Sequence, residues 1–163
     1  MKNLFLSKLS QDDFTRLEPY LKITTFEQHS VLFEAEGEIQ HVYFPSGAVV
    51  SLVVPLQSGE LIEAAMVGSD GVVGASAALN GRTSLSRAII QLPGNIVVCS
   101  IDGLKSAALQ SPSLLSLLVR HEQTLYAQAQ QSAACFASHH VEARLCPASL
   151  VRSTTSPVLL ATR

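Results

Sequence analysis

His29, His41, His121, His139 and His140, with Cys99, Cys135 and Cys146, are the side chains of this 163-residue chain that could hold a transition metal. Such a site needs its ligands grouped, as in the C-x-x-C pairs of zinc and redox centres. His29 and His41 sit alone in their expected strands, and adjacent His139 and His140 point in different directions on a helix. The cysteines are odd in number and far apart, so they read as reduced thiols, with Cys99 and Cys135 packed as small hydrophobes. Nucleophilic catalysis also lacks its signature, because the sequence holds no Gly-x-Ser-x-Gly elbow and no cysteine with a partner in context. Neither a metal nor an enzymatic activity is expected.

The elements that position side chains must come from a chain that is 47% hydrophobic and 15% charged, a composition that excludes a largely disordered protein. One domain with a real core is the default at this length. Eleven Lys plus Arg against thirteen Asp plus Glu give a formal net charge of -2, with no basic run to support nucleic acid binding. The apolar run Leu4 to Leu6 is too short for a signal peptide or a span, and no later stretch approaches the roughly 20 apolar residues a membrane needs. A cytoplasmic location with no membrane contact is expected.

Ser10 followed by Gln11, Asp12 and Asp13 resembles a helix start, and Phe14, Leu17 and Leu21 repeat at helical spacing, so residues 10–21 are expected to form one amphipathic helix. The period then changes. Short runs rich in Val, Ile, Phe and Tyr occupy residues 23–28, 31–34, 41–44, 49–54, 61–66, 87–91 and 96–101, separated by turn signals such as Ser58-Gly59-Glu60, Asn80-Gly81 and Pro93-Gly94. Strands of that length and spacing predict an antiparallel sandwich or barrel. The fold class is therefore mainly β with flanking helices, a double-stranded, jelly-roll-like β-helix.

A short helix is expected over residues 102–109, and Ser111-Pro112 restarts the chain as a cap followed by proline at the first helical position does. Leu115, Leu118, Leu125, Ala129, Phe136 and Ala143 then fall on or near one stripe, with Glu122, Ser132 and His139 between them. Alternating steps of three and four are the seam of a helix that pairs with another helix. Leu118, Leu125, Ala129, Ser132 and Phe136 are the candidate dimer contacts, and a homodimer through this helix is expected.

This order of elements, with the words inside it, resembles the Crp/Fnr family of bacterial transcription regulators and its cyclic-nucleotide-binding-like fold. The carrying residues are Asn3 to Leu6, His41 to Pro45 with Gly47 to Leu52, Gly59 with Glu63 to Met66, Val67 to Gly74, Arg87 to Gly94, and His140 to Leu145. A β-roll also resembles cupins in outline, but cupin chemistry wants two histidines one residue apart with a nearby carboxylate. Oxygen sensors of the Crp/Fnr family use an iron-sulfur cluster on grouped cysteines, and none precedes Cys99 here.

The resemblance implies a small-molecule effector held by a short helix and by an arginine from the next strand. Gly74 and Ala75, in the stretch Gly71 to Leu79, match that helix, and Arg87 with Ala88 matches the arginine-bearing strand. Backbone N–H groups and a guanidinium would grip phosphate oxygens. Arg87 equally fits an ion pair or a solvated strand position, and Arg82 a solvated turn. Gln131 and Ser132 lie where family members reach a bound base across the dimer. Ala75 stands where cyclic-AMP receptors carry a glutamate that accepts a bond from the ribose hydroxyl, so a cyclic nucleotide is not favoured as effector.

In the family a winged helix-turn-helix domain of about 60 residues follows. Here Pro147 cannot continue a helix, and the tail to Arg163 mixes Ser, Thr, Pro and small apolar residues without period. The expected organisation is a sensor domain over 1–111, a dimerisation helix over 112–145 and an irregular tail over 146–163. The expected function is effector sensing and dimerisation, truncated and without DNA binding by this chain alone. The alternative is a stand-alone interaction module that heterodimerises with a full-length relative and inhibits it.

Overall fold

The computed structural model describes residues 2–138, with side chains to residue 135. The expectations for His139, His140, Ala143, Leu145 and the tail lie outside the described residues. All seven apolar runs are strands: β1 Leu21–Phe26, β2 Val31–Phe33, β3 His41–Pro45, β4 Val49–Pro55, β5 Leu61–Val67, β6 Arg87–Leu92 and β7 Gly94–Ser100. One antiparallel sheet has the order β1-β7-β3, and the other β2-β6-β4-β5. His29 lies outside the strands, in a left-handed turn with φ 66° after β1 ends.

The three-stranded sheet separates two cores, which explains why β3 and β7 are apolar on both faces. Ile96 and Val98 point into the roll with Tyr43, whereas their neighbours Val97 and Cys99 face the helices with Val42 and Phe44. That is the period-two alternation of a strand with no solvent face. Ala88 and Ile90 of β6 and Val50 of β4 close the roll interior from the other sheet.

The described residues form five helices: α1 Leu4–Ser7, α2 Gln11–Leu17, α3 Ala75–Ala78, α4 Ile101–Gln110 and α5 Pro112–Ser138. The helix expected over residues 10–21 is shorter. Pro19, lacking an N–H, turns the chain through a 3-10 turn at Glu18–Tyr20, and Leu21 is already paired with Cys99. Ser100 caps α4 by accepting from the Gly103 N–H, and Ser111 caps α5 by accepting from the Leu114 N–H.

Asn3 ties the N-terminus to the roll. Its Oδ1 accepts from the Leu6 N–H at 3.0 Å, and its Nδ2 donates to Pro45 O at 2.7 Å and Gly71 O at 2.9 Å, all buried. Asp13 does similar work between α2 and the start of α5. Ser10 Oγ, at 2.8 Å, and Ser113 Oγ, at 2.9 Å, both donate to Asp13 Oδ2. The Ser111 hydroxyl, with those two and Arg16, holds the Asp13 carboxyl below its ordinary 3.8 against the opposing push of burial.

A lowered carboxyl pKa adds stability that is present above the unfolded value and disappears as pH falls through the folded one. Asp13→Asn is therefore expected to lower unfolding free energy by about 1 to 2 kcal/mol at pH 7. The variant should also lose part of the native chain's acid-limb slope in urea titrations between pH 5 and 2.

Candidate functional site

The segment from Gly71 to Ala78 threads between the two cores. Val72 is fully buried in the helix-side core and Val73 in the roll interior. Val73 also adds a bridge to β3, donating to Tyr43 O at 2.8 Å and accepting from the Tyr43 N–H at 2.9 Å. Gly74 then turns with φ +82°, where a Cβ would also sit 3.1 Å from both His41 O and Ile39 Cγ2. Only glycine satisfies the turn without strain. α3 follows, short and capped by no side chain.

Ala75 is fully buried in the helix-side core, so its methyl is packing and supplies no acceptor. The backbone N–H of Ser76 faces the Glu122 carboxyl of α5. Burial raises the Glu122 pKa above 4.5, and this N–H opposes the rise. A residue of the chain itself thus stands over the start of α3.

Arg87 does not share the face of its neighbours that enter the roll. Ala88 and Ile90 are buried in the interior, and strand alternation turns Arg87 away from them. Its Nε lies 3.0 Å from Glu34 Oε2, close enough for an ion pair, but the N–H is not aligned for a hydrogen bond. Of the expected surroundings of Arg87, the structure has the ion pair, with Glu34. Arg82 is likewise held, 3.5 Å from Glu38 Oε1 and 3.3 Å from Asp102 Oδ1.

The roll interior is apolar. Phe26 and Phe33 flank Tyr43 with ring centroids 6.2 and 6.4 Å away, and the Tyr43 hydroxyl donates to Leu32 O at 3.3 Å. Burial raises the Tyr43 pKa. Cys99 is equally enclosed, its thiol pushed up to about 12 by burial, which suits packing rather than nucleophilic chemistry.

Along α5 the structure divides the candidate dimer residues. Leu118 is 0% exposed in its own domain's core, and Leu125 packs on the roll interior. Ala129 and Ser132 are half-buried, and Phe136 lies on the helix with its side chain outside the described part. Gln131 is exposed, its amide meeting Cys135 Sγ at 3.5 Å one turn along. Among the described residues of this helix, the large apolar side chains left uncovered are Leu115 at 39%, Val119 at 41% and Tyr126 at 67% exposure. They keep steps of four and seven; Leu115 belongs to the expected stripe, whereas Val119 and Tyr126 lie beside it on the same helix.

His121 and Glu122, which interrupt the apolar stripe between Leu118 and Leu125, escaped assignment to a site from sequence. Polar residues inside a buried stripe were the available signal. The His121 ring stands edge-on to Phe5, with centroids 5.7 Å apart, and its Nε2 lies 2.7 Å from Val72 O.

No protein-family model and no curated protein matches the sequence. Solved structures share the fold. The c-di-GMP responsive global regulator CLP of Xanthomonas campestris is 13% identical with a TM-score of 0.72, covering 90% of this chain and 73% of that one. The sensor domain of the transcriptional regulator DNR from Pseudomonas aeruginosa is 12% identical with a TM-score of 0.62, covering 77% and 85%. The regulatory domain of Toxoplasma gondii PKA, solved with cAMP, is 15% identical with a TM-score of 0.56, covering 63% of this chain. The chain spans 40% of the length of that last structure. The fold is thus the cyclic-nucleotide-binding jelly roll, followed by a long helix.

Proposed function

We propose that the chain is the effector-sensing and dimerisation part of a Crp/Fnr-type transcription regulator. The observation that carries this reading is how α5, described over 27 residues, leaves its domain. Leu114 and Leu118 lock its first turns into the core, while Leu115, Val119 and Tyr126 stay uncovered on the side a second copy would meet. The likeness of roll plus helix to the DNR sensor domain and to CLP supports it. DNA binding is not assigned to residues 2–138: Arg16, Arg82 and Arg87 all pair with carboxylates, and the chain carries no excess of basic charge. No helix among the described residues is long and apolar enough to cross a membrane, in keeping with a cytoplasmic regulator.

The effector is a small molecule other than cyclic AMP. Ala75 offers no acceptor for a ribose hydroxyl, Arg87 is turned out of the roll onto Glu34, and the interior is apolar. A cyclic phosphate entering there would shed its water without a charged partner, which costs several kcal/mol, roughly. Titration calorimetry with cyclic AMP, cyclic GMP and cyclic di-GMP tests this. Cyclic AMP is expected to give no saturable heat. Saturable binding that Arg87→Ala abolishes would return Arg87 to the site and reverse the reading.

The uncovered stripe also fits heterodimerisation with a full-length relative, whose DNA binding the pairing would block. Mixed with such a relative, the chain would co-purify with it under the second reading, whereas homodimers that never exchange exclude it.

A further inference from the structure

We draw no further inference here: the strongest candidate, the exposed apolar patch of Val54, Leu56 and Leu61 at the tip of the β4–β5 hairpin, carries nothing because nothing in the structure shows what covers it.

Discussion

Asn3→Ala is expected to lower unfolding free energy by about 2 to 4 kcal/mol, among the largest losses available to a single polar residue here. The amide is fully enclosed and makes three bonds, one to the Leu6 N–H and one each to Pro45 O and Gly71 O. Truncation leaves an N-cap unmade, at about 1 kcal/mol, and two buried carbonyls without their donor, at about 1 to 3 kcal/mol each if no water enters. Partial relaxation makes the sum smaller than its parts. Asn3→Asp separates the roles, because a carboxylate keeps the cap acceptor yet turns oxygens toward both carbonyls. It should be at least as damaging as alanine. Urea unfolding gives both numbers. An alanine variant within about 0.5 kcal/mol of the native chain would show that the bonds to Pro45 and Gly71 carry little of the docking of α1.

Asn3 was visible in sequence only as part of a family resemblance, whereas the roll could be read from first principles. The strands declared themselves because each is a short β-branched run closed by turn residues, and those local preferences agree with the final packing. α1 was missed because four residues carry no measurable period, and its cap works through contacts 42 and 68 residues away. Arg87 could not be resolved either. Whether a strand residue enters a roll or leaves it depends on register, and only the pairing of Val53 with Arg87 and Leu52 with Ala88 decides that. The positive turn at Gly74 was legible as a glycine, but the carboxylate standing over the helix that follows comes from Glu122, 48 positions beyond it.

The same distinction between pattern and packing governs α5, where Leu118→Ala is expected to cost about 2 to 5 kcal/mol at every protein concentration. A seam pattern read from spacing alone cannot tell which of two adjacent stripes faces the parent domain, since both repeat at three and four. Leu118 is enclosed with Leu104, Leu114 and Phe44, so its removal leaves a cavity in the monomer. Tyr126 and Val119 touch solvent instead, and changing them to alanine should leave monomer stability within about 0.5 kcal/mol. Their effect should be on association, seen as a weaker dimer in sedimentation and as loss of any rise of melting temperature with concentration. If Leu118→Ala instead weakened association while sparing the dilute monomer, α5 would have to swing out of its domain before pairing.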